Sequence, residues 1–530
     1  RLASRPADPG AAARSTGALL RVDWVPADPP AAAGPEIPRC RPATVTEALA
    51  EVQRWLAGSG GLLAVVTSGA VAVAADEAPD PDRAAVWGLV RAAQSEHPGR
   101  FLLVDVNDGG QLPPSLSAMD EPQVAVRGDD LYVPRIARVA GGAQRPARPL
   151  AADGTVLVTG ASGTVGGLVA RHLVAEHGVR HLLLLSRRGA VPELEAELRD
   201  LGAEVTAAAC DVGDRDALAA ALAGIPVEHP LTAVFHAAGV LDDGLVTSLT
   251  PQRLATVWRP KADAARHLHE LTQATDLAEF VLFSSAAGVL GNAGQGNYAA
   301  ANSYLDALAG ARRGLGLPAR SLAWGLWGER SAIVTEDAFD RTVRRGVRPM
   351  APADALALMD AALRRDEAVL LPLDVDPVVL RDTDPLPHLW RALVRTKAHR
   401  RTAQPARRSL ADVAPAERVA TLTELVVAEA AKVLGSDDTD RIELDRPFRD
   451  LGFDSLSAVE LRNRLSAATG VRLPATAVFS YPTPRALVDK LLGDLFPTAP
   501  DESTVNERPL DVNGLDVDGL IAHALRTPQA

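Results

Sequence analysis

The stretch Val156-Leu157-Val158-Thr159-Gly160-Ala161-Ser162-Gly163-Thr164-Val165-Gly166-Gly167 decides the fold of this chain. Its apolar start predicts a buried strand, its glycines permit a tight turn, and the residues that follow have helical periodicity to about position 175. Such a turn brings backbone N–H groups and a helix N-terminus close to a bound pyrophosphate. A plain glycine turn is the alternative. The candidate dinucleotide-binding residues here are Gly160, Ser162, Gly163, Val165 and Gly166.

Short apolar runs separated by helix-length segments continue this pattern along the chain. They cover residues 155–158, 182–185, 233–235 and 280–284. Buried runs of this kind predict a doubly wound parallel sheet with helices on both faces. Residues 19–148 show the same α/β alternation without a glycine-rich strand end. We expect that half to bind no nucleotide and to brace the second half.

The length of 530 residues predicts several domains rather than one core. We expect an α/β fold whose two halves are followed by a small all-α domain of four helices. The C-terminal tail that follows the helical domain fits a docking element for a downstream subunit and simple disorder equally well. The expected boundaries are a linker at 1–18, a structural half at 19–148, a nucleotide-binding half at 149–394, a linker at 395–409, the helical domain at 410–495 and the tail at 496–530.

Composition excludes several classes of protein. Hydrophobic residues make up 47% of the chain, and no apolar run approaches the roughly 20 residues of a membrane span, so we expect a cytoplasmic protein without a membrane partner. The net charge of −12 argues against nucleic acid. Two cysteines, Cys40 and Cys210, cannot form a disulfide framework or a thiolate metal cage, and we expect no metal. The start at Arg1 indicates a piece of a longer polypeptide.

The end of the second strand of the nucleotide-binding half predicts which nicotinamide cofactor binds. Ser186, Arg187 and Arg188 stand where a site for NAD usually has an acidic residue. Two guanidinium groups favour a 2′-phosphate, so we expect NADPH; surface arginines are the alternative. Asp211 and Val212 follow the third strand and are expected near the adenine, with a helix cap as the alternative for Asp211.

Four further residues form a candidate reducing site. Reduction of a ketone needs a proton donor and a group that polarises the carbonyl. Ser285 ends an apolar run, and Tyr298 and Asn302 follow one helical turn apart, which places them at the carboxyl edge of the sheet. Because tyrosine needs a nearby cation to act near neutral pH, Lys261 is the candidate partner. Taken singly, Ser285 also fits a helix cap, Tyr298 a core aromatic residue and Lys261 a solvated helix residue.

The glycine loop, Ser285, Tyr298 and Asn302 resemble the short-chain dehydrogenase/reductases. That family has a lysine where this chain has Asn302. In ketoreductases of modular type I polyketide synthases the lysine and asparagine exchange positions, and Trp258-Arg259-Pro260-Lys261-Ala262 is similar to the segment with the lysine. The resemblance implies two Rossmann-like halves, one structural and one catalytic. It also implies NADPH-dependent reduction of a β-ketoacyl thioester.

The resemblance extends to stereochemistry. Leu241-Asp242-Asp243 is similar to the mark of B-type ketoreductases, which implies a D-configured β-hydroxyl. Asn297 before the tyrosine and Ala293 resemble B-type enzymes that leave the α-carbon unchanged. We expect the segment 329–352, which includes Arg344, to be a lid over the substrate groove. A surface helix is the alternative for that segment.

Leu451-Gly452-Phe453-Asp454-Ser455-Leu456 resembles the acyl carrier protein motif, which implies 4′-phosphopantetheine on Ser455. Attachment needs an exposed hydroxyl at the start of a helix, where backbone amides and the helix dipole favour a phosphodiester. An unmodified helix cap is the alternative. A tethered carrier would hold its acyl chain at high effective concentration near the reductase.

The resemblance implies partners as well. These are upstream ketosynthase and acyltransferase domains, with a preceding dehydratase hinted at by residues 1–6, a phosphopantetheinyl transferase, and a downstream synthase subunit or thioesterase. Two other functions stay open at this point. One is a redox-inactive scaffold or epimerase fused to a working carrier, and the other is a reductase of free metabolites fused to a carrier.

Overall fold

A computed structural model describes residues 18–32, 34–58, 60–74, 76–107, 112–139, 148–329, 336–383, 386–394, 413–436, 438–474 and 476–496. The predicted linkers, apart from residue 18, and the tail from residue 497 lie outside these ranges. Within them, no helix is both long enough and apolar enough to cross a membrane.

The strands occur in two blocks along the chain. Those of the first half are β1 Leu19–Ala27, β2 Arg39–Cys40, β3 Leu63–Ser68, β4 Phe101–Val106, β5 Gln123–Arg127 and β6 Asp130–Arg138. Those of the second half are β7 Thr155–Thr159, β8 His181–Ser186, β9 Glu204–Ala209, β10 Leu231–His236, β11 Glu279–Ser285, β12 Arg320–Trp324, β13 Val347–Arg348, β14 Val369–Pro372 and β15 Asp374–Val375.

The helices of the two α/β halves lie between these strands. They are α1 Val45–Ala57, α2 Pro81–Glu96, α3 Thr164–Ala175, α4 Pro192–Asp200, α5 Arg215–Ala223, α6 Pro251–Trp258, α7 Ala264–Leu271, α8 Ala287–Leu290, α9 Gly296–Gly314, α10 Glu336–Arg344, α11 Pro352–Leu363 and α12 Pro377–Asp382. The helices of the C-terminal unit are α13 Arg418–Val433, α14 Ser455–Thr469, α15 Ala477–Ser480 and α16 Pro484–Leu495. Four α-helices were predicted for this unit, and the described residues contain four.

One continuous sheet of 13 strands runs through both α/β halves, in the order β2-β3-β4-β5-β6-β1-β14-β12-β11-β10-β7-β8-β9. From β14 to β9 every pairing is parallel, as predicted for the second half. Strands β2 to β5 are also parallel, whereas β6 and β1 are antiparallel to their neighbours. The pairing of β1 with β14 joins the halves, a feature that the sequence patterns did not predict.

The two halves also meet through a helix pair, α2 against α9. Gly88 of α2 makes the close approach possible, because a Cβ at that position would lie 2.6 Å from the Ser303 Oγ of α9. Arg91 of α2 donates from Nη1 to the Gly288 carbonyl at 2.8 Å. Glu96, at the end of α2, accepts backbone N–H groups of Val246 and Gly294 at 2.8 and 2.9 Å. The first half therefore supports loops and a helix of the second.

The C-terminal unit has its own small core. Leu422 and Val426 of α13 pack with Leu461 of α14 and Leu487 of α16, and all four side chains are buried. Helix α14 begins with a reciprocal capping box: Asp454 Oδ1 accepts the Ser457 N–H, and Ser457 Oγ accepts the Asp454 N–H, both at 2.7 Å. This cap fixes where α14 starts.

Candidate active site

The glycine turn after β7 has the shape that a dinucleotide requires. Gly160 has a φ of 72°, and a Cβ there would lie 2.8 Å from the backbone of Ala238. A Cβ on Gly166 would lie 2.8 Å from the carbonyl carbon of Gly160. Ser162 and Gly163 are exposed at the turn, and α3 begins directly after Gly163. Side chains at the two crowded glycines would fill the cradle, so the residues present fit a pyrophosphate.

The neighbouring strand ends complete the cofactor edge. Ser186, the last residue of β8, is buried and its hydroxyl donates to the Gly189 carbonyl at 3.0 Å. Arg187 and Arg188 follow with both side chains exposed. After β9, Asp211 accepts the Gly213 N–H at 3.0 Å and pairs with Arg259 at 3.0 Å, while Val212 is buried. Asp211 is not a helix cap, since Asp214 caps α5. Val165 lies partly buried in the first turn of α3.

Lys261 lies on a π-helical turn, Arg259–Asp263, between α6 and α7. Pro260 has no N–H for a regular helix, and the wider turn accommodates it. The Lys261 side chain is 4% exposed, which excludes the alternative of a solvated helix residue. Its Nζ donates to the Phe283 carbonyl of β11 at 2.8 Å and lies 5.5 Å from the Tyr298 ring centroid. Desolvation lowers the pKa of Lys261 to about 8.

Tyr298 and Ser285 meet at the carboxyl end of β11. Burial raises the pKa of Tyr298, and hydrogen bonding with Ser285 and the adjacent Asn302 side chain opposes that rise. Ser285 Oγ accepts the Ala287 N–H at 3.2 Å. Because that bond uses a lone pair, the Ser285 hydroxyl proton is still available to a second oxygen. Ala286 rather than Ser285 is the N-cap of α8, and the bond from the Ala287 N–H is compatible with a functional role of the Ser285 hydroxyl.

Asn302 lies fully buried one turn after Tyr298 in α9. Its Nδ2 donates to the Tyr298 carbonyl at 2.8 Å. Among the described residues its Oδ1 has no hydrogen-bond partner. A buried amide oxygen without a partner costs free energy, so a group that fills this position, such as a water molecule, would stabilise the site.

Two residues that support the site were missed in the sequence, the buried His236 and the half-buried Asp306. His236, the last residue of β10, joins Thr159 Oγ1 through Nδ1 at 2.7 Å and the Lys261 carbonyl through Nε2 at 3.0 Å. Desolvation lowers the pKa of His236 to about 3, so the ring is neutral at pH 7. Asp306 accepts the Ser321 hydroxyl at 2.6 Å, and its pKa is raised to about 6 by burial. The sequence signal that could have identified His236 is its position at the end of a strand.

The segment Leu241-Asp242-Asp243 lies next to the start of α9. Asn297 Nδ2 donates to the Asp242 carbonyl at 2.8 Å, and Asn297 Oδ1 accepts the Tyr298 N–H at 2.9 Å. Gln295 Nε2 donates to Asp243 Oδ2 at 2.9 Å. The Asp242 carboxylate pairs with Arg253 at 2.7 Å. Asn297 thus connects this segment to the tyrosine directly.

Ser455 is the first residue of α14, and its side chain is exposed. The preceding Asp454 already caps the helix, so the Ser455 hydroxyl is not needed for capping. An exposed hydroxyl at the amide end of a helix fits a phosphodiester.

Three family models match the chain. The KR domain matches residues 154–329, the Rossmann fold domain of polyketide synthase extender module SpnB matches residues 3–136, and the phosphopantetheine attachment site matches residues 424–491. Each model thus covers one of the three folded units.

Solved structures decide the family. The structure of A-type ketoreductases from a modular polyketide synthase matches with a TM-score of 0.64 at 35% identity, covering 72% of this chain and 98% of that chain. This chain belongs to the ketoreductases of modular polyketide synthases. A C2-type ketoreductase matches with a TM-score of 0.62 at 31% identity, covering 69% of this chain and 96% of that one. Fold similarity therefore does not distinguish the stereochemical types of ketoreductase.

The curated relatives are much longer than this ketoreductase and its carrier. The spectinabilin polyketide synthase system protein NorA' of Streptomyces orinoci is 51% identical over 495 residues, which is 88% of this chain and 14% of that protein. Polyketide synthase GfsE of Streptomyces halstedii is 52% identical over 460 residues, 82% of this chain and 12% of that protein. The chain thus spans less than a sixth of these relatives. It joins a ketoreductase with a phosphopantetheine-attachment domain.

Proposed function

We propose that the chain reduces a β-ketoacyl thioester, carried by phosphopantetheine on Ser455, to the D-β-hydroxyacyl thioester with NADPH. One arrangement carries this proposal. Lys261, Tyr298 and Ser285 converge at the carboxyl end of β11. Only β10 lies between β11 and β7, the strand that leads into the glycine turn. A redox-inactive scaffold would have no need to bury a lysine beside a tyrosine.

The catalytic residues divide the proton chemistry among them. NADPH, when bound at the glycine turn, supplies the hydride. The Ser285 hydroxyl donates a hydrogen bond to the ketone oxygen and polarises it. The Tyr298 hydroxyl gives its proton to the developing alkoxide. The Lys261 ammonium stabilises the tyrosinate that remains, and Asn302 Oδ1 holds a water molecule that returns a proton to the site.

Arg187 and Arg188 support the choice of NADPH. Both are exposed directly after β8, where the ribose of a dinucleotide bound at the neighbouring glycine turn would lie. Guanidinium groups bind phosphate oxygens in a bidentate manner, which favours a 2′-phosphate. Asp211 and Val212 would border the adenine on the other side.

We assign the stereochemistry to the Leu241-Asp242-Asp243 segment and to Asn297. Hydrogen bonds from Asn297 and Gln295 hold this segment against the start of α9. Substrate entering along this side would present one face of its ketone to the cofactor, and the likeness to B-type enzymes assigns the D-configured alcohol to that face. Retention of the α-carbon configuration follows from the same likeness to B-type enzymes.

The remaining proposals concern the assembly. Residues 19–148 act as a structural half without a nucleotide, residues 149–394 as the catalytic half and residues 410–495 as the carrier. The tail, 496–530, is a candidate docking element for a downstream subunit. Upstream ketosynthase and acyltransferase domains and a downstream subunit or thioesterase act on the same acyl chain in the cytoplasm. A phosphopantetheinyl transferase attaches the arm to Ser455.

The test uses a diffusible β-ketoacyl thioester with NADPH or NADH and follows nicotinamide absorbance, with chiral chromatography of the product. We expect NADPH to be consumed much faster than NADH and the D-alcohol to form with the α-centre unchanged. Tyr298→Phe should lower the rate by about 10²-fold or more. Tyr132→Phe, in β6 of the structural half, is the matched control and should retain activity. A folded protein that consumes neither cofactor with several thioesters would favour the scaffold or epimerase reading.

A further inference from the structure

The carrier lies against the catalytic half beside Asp243, the last residue of Leu241-Asp242-Asp243, which we call the stereocontrol segment. Leu456, next to the attachment serine, contacts Gly294 so closely that a Cβ on that glycine would lie 2.5 Å from Leu456 Cδ2. Gly294 directly precedes Gln295, which binds Asp243 of the stereocontrol segment. Leu456 at the start of α14 therefore contacts Gly294, and the next residue, Gln295, contacts the stereocontrol segment.

A second contact joins α14 to the end of α2 in the structural half. Arg462 Nη2 donates to the Glu96 carbonyl at 2.6 Å, and Asn463 Nδ2 donates to the Ser95 carbonyl at 3.2 Å. Arg462 is 8% exposed although it belongs to a carrier helix. Glu96 is the residue whose carboxylate holds the Gly294 and Val246 amides, so both contacts of α14 meet one rigid unit.

The third contact is electrostatic and comes from α10, which lies in the segment predicted to be a lid. Arg341 Nη1 lies 3.5 Å from Asp454 Oδ2, directly before the attachment serine. A Cβ on Gly435 of the carrier would lie 2.8 Å from Arg344 Nη1 of the same helix. Arg345 Nη1 donates to Asn292 Oδ1 at 3.1 Å, which connects α10 to the loop before α9. Helix α10 thus contacts the carrier, and Arg345 directly after it contacts the loop before α9.

These three contacts surround a cavity of about 190 Å³. Its walls include Asp243 and Gln295 of the catalytic half, Arg341 and Thr342 of α10, and Leu456 and Val459 of the carrier. Ser455 directly precedes Leu456, which lines this cavity together with Asp243, so an arm attached at Ser455 would start beside the cavity.

We propose that α14 docks on a composite surface formed by the end of α2, Gly294 and α10, and that Arg462 and Arg341 hold the chain's own carrier there for delivery of its acyl arm. The proposal rests on the proposed function. It assigns the structural half a direct part in carrier recognition, through backbone carbonyls of Ser95 and Glu96. Arg341 is a positioning residue, because it contacts the carrier and the cavity rather than the reacting atoms.

The experiment compares two substrates in the full chain. Ser455 is loaded with a β-ketoacyl-phosphopantetheine group, and a single turnover with NADPH is followed by mass spectrometry. The same protein then reduces a diffusible β-ketoacyl thioester. We expect Arg462→Glu to slow the carrier-bound reduction about tenfold or more and to leave the diffusible reaction within about twofold of native. Arg341→Glu should also affect the carrier-bound reaction more than the diffusible one, and Arg341→Lys should restore part of the rate.

Arg441→Glu is the matched control, because Arg441 is exposed and pairs with Asp438 within the carrier. It should leave both reactions unchanged. The extent of loading at Ser455 verifies that each variant carrier is folded. Equal rates for native and Arg462→Glu protein on the carrier-bound substrate would overturn the docking proposal, as would an equal loss on both substrates. Failure of the native protein on the diffusible thioester would instead contradict the proposed function.

Discussion

Lys261 is the residue whose environment is most unusual for its type. A lysine ammonium that is removed from water loses hydration, and here the Phe283 carbonyl, the face of the Tyr298 ring and the charge of Asp306 compensate for only part of that loss. Its pKa of about 8 reflects that imbalance. A cation that titrates close to neutral pH makes the tyrosine beside it dependent on pH.

The first prediction at this scale concerns pH. Lys261 is charged below about pH 8 and neutral above it, so the reduction rate should fall as pH rises through about 8. Lys261→Met should lower the rate at pH 7 by roughly 100-fold and remove this decline. The measurement is the rate of NADPH consumption between pH 6 and 9.5 with a diffusible thioester. An unchanged decline in the Lys261→Met profile would show that another group causes it.

The second prediction concerns the cofactor. Arg187→Ala combined with Arg188→Ala should raise the KM for NADPH by about tenfold or more, because charge-assisted hydrogen bonds to a phosphate are lost, and should leave the KM for NADH nearly unchanged. Arg199→Ala, an exposed arginine of α4 paired with Glu195, is the matched control. Equal effects on both cofactors would mean that the two arginines do not bind the 2′-phosphate.

At the residue scale, candidate site residues could be named from the sequence where their spacing along one strand and one helix follows a known motif. Ser285, Tyr298 and Asn302 follow one strand and one helix, so their convergence depends only on local geometry. His236 and Asp306 were missed because their importance comes from contacts across the sheet, to the Lys261 carbonyl and the Ser321 hydroxyl. Nothing in their sequence neighbourhoods states which partners the fold will bring to them.

At the scale of elements, the position of Tyr298 depends on the packing of α9 against α2. Gly88→Ala should disturb this pair, because the new Cβ would lie 2.6 Å from Ser303 Oγ and from the carbonyl carbon of Ala299. We expect the free energy of unfolding to fall by about 1–3 kcal/mol and NADPH consumption to fall with it. Denaturant titration and the diffusible-thioester assay measure the two effects.

Gly493→Ala is the control for this prediction. Gly493 lies in α16 of the carrier, and a Cβ there would meet no atom within 4 Å. This substitution should be neutral or stabilise the carrier by up to about 1 kcal/mol. If Gly88→Ala were equally harmless, the tight contact between the two halves would not position α9.

Strands and helices could be predicted from the sequence where a single hydrophobic periodicity dominated a segment. The strands β7, β8, β10 and β11 and the start of α14 were visible as apolar runs and a capped helix. The join between the halves was not predicted, because β1 pairs with β6 and β14, which lie more than 100 and more than 300 residues further along the chain. Local pattern carries no information on such pairing.

At the scale of the whole molecule, the sheet of 13 strands joins the two halves, and the carrier lies against the end of α2, Gly294 and α10. The structural half contributes no reacting group. Instead, the Glu96 carboxylate accepts the Gly294 N–H, and the Glu96 backbone carbonyl accepts a hydrogen bond from Arg462 of the carrier. The α/β fold followed by a helical carrier was predicted from the sequence, whereas this shared role of α2 required the structure.

The most direct test of the account is a single turnover on the carrier with NADPH deuterated at the transferred position. Loaded on Ser455, the β-ketoacyl chain should gain one deuterium at the β-carbon and one solvent proton on oxygen. Native protein should complete this reaction, Tyr298→Phe should not, and Ser455→Ala should reduce only a diffusible thioester. A loaded chain that remains a ketone in native, folded protein while NADPH persists would contradict the account.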